Sequence, residues 1–475
     1  MRILVMESST SSAKAMLYST QNGVEAVRSQ QYVPKEVEAG EVGAQVPEQV
    51  FLHTVAVAKK LAEGRTIDAI VPCSTWHNVM VADCEMRPCS PAYTWSYNGA
   101  AAVAGRLRKD REFCHRFYQR TGCMVHAIYP AFKLLMLREG GIKLHHKQIC
   151  SQGSYNVFRL TGERVTTDCS ASGSGLLNIH TRRWDQEILQ MLGLKEEQLC
   201  DLSDYKHPIP LSSEGSRLLG QPAGTPVLPC YPDGALNQVG AGALLPGMMT
   251  FSIGTSGAIR LSVEHPVLPE EPSTWCYLSP NGWLSGAATS GACNCLEWCK
   301  STFFPGEKSF ARLDEVQVDL KKMPLFFPFL FGERCPGWND EWRGGFAKLR
   351  PFHKAVDLYR SVQEGIIFNL YQCYQILCAE NGVPKQIQLS GGVINSRVWR
   401  QMCCDIFGRE LLCADTSQAS MLGGAVLALE TLGYIRSIEE FETGVAQWLE
   451  PDPVKHQMYE ERFQMYLDHY QAGNF

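Results

Sequence analysis

The sequence predicts a mixed α/β protein of two domains with a cleft between them, and three observations carry that prediction. Its 475 residues exceed what one hydrophobic core ordinarily supports, so two domains of about 200 residues or more are expected. Apolar runs of strand length alternate with stretches of helical period along the chain. One layout, an apolar run, a small polar turn and a second apolar run, occurs twice, at the start and just past the middle.

Taken in order, residues 2–6 and 15–18 are the apolar arms of a β-hairpin whose polar turn holds Glu7 to Ser12. Residues 67–73 read as a buried strand, and 130–138 as a helix from their periodicity. Residues 248–253, the turn Gly254-Thr255-Ser256-Gly257 and residues 258–261 repeat the hairpin. Pro246-Gly247 precedes the repeat, so a hinge is expected near residue 245, with domains 1–245 and 246–475. Further on, a helix over 355–377, a strand over 386–389 and a helix over 398–407 follow one another, an order that nucleotide sites often use. The segment after about Ser437 is charged and aromatic, and reads as a terminal amphipathic helix without chemistry of its own.

With 45% hydrophobic and 20% charged residues and a formal charge of -5, the composition is that of an ordinary globular protein rather than a disordered one. A mildly acidic chain gives no electrostatic reason to expect nucleic acid or an anionic membrane as partner, which leaves small-molecule chemistry. The apolar residues 3–6 are interrupted at once by Glu7, unlike a signal peptide, and no run approaches the ~20 apolar residues of a membrane span. A cytoplasmic protein is expected. The nineteen cysteines are scattered among apolar neighbours and read as reduced thiols. Cys293, Cys295 and Cys299 lack paired C-x2-C knuckles and a nearby histidine, so they read as core residues rather than metal ligands.

Small polar turns gather backbone N–H groups and hydroxyls at one point, which suits phosphate oxygens. Thr10, Ser11 and Ser12 offer hydroxyls and Lys14 a positive charge, while Gly254 to Gly257, with Thr255, allow close backbone approach. Either turn alone is ordinarily just a turn; two in matching positions point to phosphate. Gly391 and Gly392 lie between a strand and a helix, where they are either a phosphate contact or a plain connection. There is no G-x-G-x-x-G and no P-loop, so an ATP site must be of another type. Asp233, between Pro232 and Gly234 before a run of small residues, is either a helix cap or a catalytic base. His77, beside Trp76 and directly after a buried strand, is either structural or poised to bind a polyol.

Together these segments resemble the FGGY family of carbohydrate kinases along nearly the whole chain. Leu389-Ser390-Gly391-Gly392 with Asn395-Ser396, Trp399, Gln401 and Asp405 looks like the family's adenosine-side signature, and Gly254-Thr255-Ser256-Gly257 like its second phosphate loop. Gly332-Glu333-Arg334-Cys335-Pro336 is similar to the G-E-R-x-P turn, and Asp233-Gly234-Ala235 falls where the family keeps its catalytic aspartate. Thr121-Gly122-Cys123, His126, Tyr129-Pro130, Lys133-Leu134 and residues 171–178 look most like gluconate kinases, with xylulose kinases next. His77 matches their Met-His pair, with Trp76 standing for methionine.

Two segments depart from the pattern. The first loop, usually D-x-G-T-[TS]-[ST]-x-K, here runs Glu7-Ser8-Ser9-Thr10-Ser11-Ser12-Ala13-Lys14. The sugar-side W-x-D-x-R is Trp95-Ser96-Tyr97-Asn98-Gly99, lacking both the acid and the base; an aromatic at Tyr97 is expected to stack on or shorten the pocket.

The resemblance implies a ribonuclease H-like (actin-like ATPase) fold in each half, with sugar bound mainly by the first and ATP mainly by the second. It implies that Thr10, Ser11, Ser12 and Thr255 hold phosphates, that Gly254, Gly391, Gly392 and Asn395 serve the nucleotide, and that Lys14 offsets charge. It further implies that Trp76, His77, Tyr97 and Asp233 meet the sugar, that Glu7 and Asp233 face Mg2+, and that Asp233 accepts the hydroxyl proton. The implied substrate is a sugar acid such as gluconate. Xylulose, another ketose or a polyol, and a non-catalytic sensor of sugar or nucleotide, are the alternatives. A homodimer is common in the family.

Overall fold

Six consecutive buried residues, Ile3 to Ser8, make the first strand, β1 (Arg2–Ser8), apolar on both faces and hence central in its sheet. It pairs antiparallel with β2 (Ser12–Ser19) in the register Arg2↔Ser19 to Ser8↔Ala13, and β3 (Gly23–Gln31) continues the meander as an exposed edge. A helix, α1 (Pro47–Ala62), begins with proline in its first turn and lays Val50, Phe51, Val55 and Ala58 onto this sheet. On the other side of β1 lies β4 (Ala69–Ser74), parallel to it and fully buried. Two short strands, β5 (Pro226–Val227) and β6 (Tyr231–Pro232), run parallel to β4. The registers Ser8↔Ser74 and Pro232↔Ser74 bring the carboxyl ends of β1, β4 and β6 to one edge. Helix α2 (Asp233–Gly240) starts at that edge.

The structure, a computed structural model, describes residues 1–414, 418–441 and 444–473. The chain divides into two compact units: Met1–Leu244 with Cys276–Trp283 and Gln418–Glu442, and Leu245–Trp275 with Leu284–Ser417 and Thr443–Phe475. The two returning segments of the first unit have no signal in the sequence. One of them carries the helix Ala419–Thr431, which packs backbone to backbone on α2. A Cβ on Gly240 would lie 2.0 Å from the Ala419 carbonyl, and one on Gly423 2.0 Å from that of Leu236. The small-residue run after Asp233 therefore serves a close helix crossing.

The second unit repeats the device. Strands β7 (Met248–Ile253) and β8 (Gly257–Val263) form an antiparallel hairpin closed at Ile253↔Gly257. Strand β9 (Gly282–Thr289) lies beyond β8. The long helix α3 (Ala355–Asn381) leads to β10 (Gln386–Gly391), parallel to β7 from Met248↔Gln386 to Ile253↔Gly391. Helix α4 (Arg397–Phe407) and β11 (Leu411–Ala414) follow, β11 parallel to β10.

The segment after Ser437 is not one helix. Strand β12 (Val445–Leu449) first pairs antiparallel with β11, and only Pro453 opens α5 (Pro453–Ala472). Proline at 451 and 453 separates the two, since it is suited to a helix start and not to a continuing strand. Helix α5 is anchored by a buried bidentate pair, Arg462 to Glu364 of α3, with both contacts at 2.6 Å, and by Tyr466 stacked 4.7 Å from Phe327. Among the described residues no helix is long and apolar enough to cross a membrane.

Candidate active site

The turn between β1 and β2 is organised by one carboxylate. Glu7, 3% exposed, accepts at Oε1 from Lys14 Nζ at 2.9 Å and from the Ser9 hydroxyl, and at Oε2 from Ser420 Oγ at 2.6 Å. Burial raises its carboxyl, but the Lys14 charge and these donors outweigh burial and hold it below the ordinary value. Lys14 responds in the opposite sense: burial lowers it, Glu7 more than restores it, and its charge also feels Asp233. Both groups are ionised near neutrality. The two departures from the family pattern thus occur together. Ser9 has no positive φ that would require glycine, and its hydroxyl meets the longer carboxylate that replaces aspartate.

Thr10 is held from two sides, its carbonyl by Gln45 Nε2 at 2.7 Å and its hydroxyl oxygen by Trp95 Nε1 at 2.8 Å. The Thr10 hydroxyl proton is thereby left to donate elsewhere. Ser11 is exposed at the turn, and Ser12 is buried at its base. Asp233 is the first residue of α2, half-buried, with Oδ1 accepting from the Gly234 N–H at 2.7 Å. Its charge acts on Lys14 and on the buried thiols of Cys73 and Cys230. The turn and Asp233 therefore share one electrostatic site within the first unit.

Beside it stands an aromatic cluster. Trp76 Nε1 donates to the Cys169 carbonyl at 3.1 Å, and His77, at φ 62°, sets Nδ1 2.6 Å from the Gly173 carbonyl. That contact places the ring proton on Nδ1 and makes Nε2 the acceptor in neutral imidazole. Tyr129 and Tyr277, whose hydroxyls are 2.8 Å apart, close the cluster around His77; sequence reasoning gave neither a role, and only the fold joins them. A cavity of about 60 Å³ runs behind Trp76 and His77 to Ser74, Ser151, Ser170 and Cys230.

Tyr97 does not meet the expectation that it stacks on or shortens this pocket. Its ring is 7% exposed and packs 4.5 Å from Tyr93, with its hydroxyl 3.9 Å from Met136 Sδ. It fills the space over Gly99, where a Cβ would fall 2.3 Å from the Tyr97 hydroxyl. The loss of the family's arginine at 99 and the gain of tyrosine at 97 are one steric event. The sugar-side loop keeps Trp95 and loses both charges.

In the second unit the glycine segments adjoin. Gly391, at φ 89°, lies against β7, where a Cβ would meet the Ile253 carbonyl at 2.4 Å, and Gly392 faces Cys293. Thr255 is exposed at the hairpin turn, whose Gly254 and Thr255 carbonyls accept from the N–H groups of Cys293 and Asn294. Asn395 is exposed in the short helix Gly392–Asn395. Ser396 caps α4 and donates to Asp314, which also accepts from Tyr359 and Gln363; no sequence motif marks Asp314. In the G-E-R-x-P turn, burial pushes Glu333 up to about 7 although Tyr470 of α5 donates to it at 2.5 Å.

Two hairpins of one make, each with a parallel strand beside its first arm, define an enzyme of the actin-like ATPase fold built to handle phosphate. The chain belongs to the FGGY family of carbohydrate kinases, whose N-terminal domain matches residues 2–240 and whose C-terminal domain matches residues 249–431. It is an ATP-dependent carbohydrate kinase. It is 29% identical to a gluconokinase of Bacillus subtilis (strain 168), over 95% of this chain and 92% of that one. A xylulose kinase of the same organism is 26% identical over 92% and 90%. Among solved structures, a gluconate kinase and a ligand-bound xylulose kinase, both from Lactobacillus acidophilus, each superpose with a TM-score of 0.93 at 28% identity, covering 99% of this chain and 98% of theirs.

Proposed function

We propose that the protein phosphorylates a hydroxyl of a sugar acid such as gluconate, with Asp233 as general base. The observation that carries this reading is the grouping of Asp233, Lys14 and the Thr10 hydroxyl at the carboxyl edge of one sheet. The likeness to gluconokinases over almost the full chain supports the substrate class. Asp233 takes the proton from the attacking hydroxyl, while Lys14, with Thr10, Ser11 and Ser12, meets the charge of the transferring phosphoryl group. Trp76 and His77 receive the sugar, a sugar hydroxyl donating a hydrogen bond to His77 Nε2. Thr255, with Gly254, Gly391, Gly392 and Asn395, serves the nucleotide.

Magnesium accompanies ATP in this chemistry and spreads phosphate charge. Asp233 and Glu7 are the carboxylates that would face it, directly or through water, and Glu7 also orders the turn through the hydrogen bonds it accepts from Ser9, Lys14 and Ser420. The same reading makes the protein cytoplasmic, consistent with thiols that are free throughout.

Xylulose or another ketose is the second reading, favoured by the neutral loop at Tyr97 and Gly99. The test is ADP release from magnesium ATP across sugar acids, ketoses and polyols. Gluconate is expected to lead; a ketose in first place moves the assignment to the second reading, and silence across the panel turns it to a sugar sensor. Asp233→Asn is expected to lower kcat by about 10²- to 10⁴-fold with sugar binding retained. Lost sugar binding with kcat unchanged would make Asp233 a ligand contact instead.

A further inference from the structure

Lys133 is fully buried in the helix Pro130–Glu139, one turn from its start. Its Nζ donates to the carbonyls of His77 at 2.7 Å and Thr94 at 2.6 Å, and lies 3.5 Å from that of Tyr93. Three ammonium protons meet three main-chain acceptors. Placing a charge in the interior costs several kcal/mol, roughly, unless it is well bonded, and methionine would fill the same volume without that cost.

What the charge holds is particular. The His77 carbonyl belongs to a residue with φ of 62°, a region that a histidine seldom occupies unless its surroundings fix it. The Thr94 carbonyl precedes Trp95, whose indole holds Thr10 in the phosphate turn. The backbone bridge between Val79 and Tyr93 joins the two segments, and the ammonium adds ties at the His77 and Thr94 carbonyls on either side of that bridge.

We propose that Lys133 is a positioning residue for the sugar: its buried ammonium sets His77 and the Trp95 loop relative to each other. The proposal rests on the kinase reading of this site. Burial draws Lys133 well below the ordinary lysine value, with no carboxylate opposing it among the described residues; the titratable side chains on the segments packed against it are His77, Tyr93, Tyr97 and Tyr129. Loss of its proton removes one of three donors, so sugar affinity should weaken toward alkaline pH while the nucleotide side is untouched.

The test uses gluconate and xylulose as probes, with calorimetric binding in the absence of nucleotide, separate KM values for sugar and ATP, and hydrogen exchange. Lys133→Met is expected to weaken sugar binding by about 10-fold or more, leave the KM for ATP within about twofold, and speed exchange in peptides covering 75–98 alone. In the native protein the sugar KM should rise with pH already well below the ordinary lysine value of 10.5, and Lys133→Arg, which cannot lose its charge, should flatten that rise. Equal losses for sugar and ATP that follow a fall in Tm, or unchanged exchange over 75–98, would overturn the proposal. If Lys133→Met does not fold, a native sugar KM that stays flat up to the ordinary lysine value of 10.5 overturns it. If the native protein binds neither probe, the kinase substrate reading fails, and the exchange measurement still decides Lys133.

Discussion

The two hairpin turns occupy equivalent places in their units and are built on opposite principles. The first, at Ser8 to Ser12, is a side-chain device: a buried carboxylate gathers a lysine and two hydroxyls, one of them from Ser420. The second, at Gly254 to Gly257, is a backbone device whose carbonyls accept from the start of the next helix and whose Gly257 admits Leu370 and Thr289. The first turn can therefore exchange glycine for serine when its carboxylate lengthens, because its shape is set by hydrogen bonds that can be rearranged. The second cannot at Gly257, because its shape there is set by contact with Leu370 and Thr289.

The largest effect that separates them should come from Glu7→Ala. Lys14 would lose its partner, and Ser9 and Ser420 their acceptor. Breaking a fully buried pair costs about 3–5 kcal/mol; the Lys14 side chain is 33% exposed, so about 2 kcal/mol is expected by urea unfolding. A fall in kcat of about 10²-fold should accompany it, as Lys14 is no longer aimed. Glu7 is depressed, so its contribution is present above the ordinary carboxyl value of 4.5 and fades as pH falls through its folded value. Lys14 is raised, so its contribution is present below 10.5 and fades as pH rises through its folded value. The deficit of Glu7→Ala should thus be widest between those limits and narrow in acid. A deficit independent of pH would mean that packing, and not charge, shapes the first turn.

An intermediate effect is expected from Gly257→Ala. Its Cβ would lie 2.9 Å from Leu370 Cδ1 and 3.1 Å from Thr289 Cγ2, an overpacking of about 1–3 kcal/mol. Gly254→Ala is the control, since its Cβ would find nothing nearer than 3.8 Å. Urea unfolding should show that loss of stability in the first variant and little change in the second. Equal behaviour of the two would break the contrast between a turn set by contact and one set by bonds.

The same contrast explains what the sequence could and could not reveal. Both hairpins were legible because their arms are apolar runs bounded by small polar residues, and the glycines of the second turn marked close approach as glycines usually do. Asp233 stood out from its Pro-Asp-Gly setting, although that setting left cap and base undecided until the family pattern was considered. Ser420 was invisible: it meets Glu7 across 413 positions, and periodicity reports which face is buried but not what buries it. Tyr97 misled because a new aromatic in a sugar loop suggests stacking on ligand, whereas the glycine two residues on had opened a slot for the ring inside the protein. Strand β12 was absorbed into the terminal helix because Val445 to Leu449 is short and borders a long helical period.

The smallest expected effect is the most informative about how the first turn came to differ. Glu7→Asp shortens the carboxylate by one methylene, and Ser9→Gly removes the hydroxyl that meets it; the two together restore the family's usual residues at these positions. If the pair compensates, each single change leaves a buried donor or acceptor unsatisfied, at about 1 kcal/mol apiece. The double variant should then be no less stable than either, with a coupling of at least ~0.5 kcal/mol in a double-mutant cycle, the range expected of residues in one network. Strict additivity would mean that Ser9 tolerates either carboxylate, and that the Lys14 and Ser420 contacts alone set the position of Glu7. In that event Ser420→Ala, and not Ser9→Gly, should reproduce most of the loss seen in Glu7→Asp.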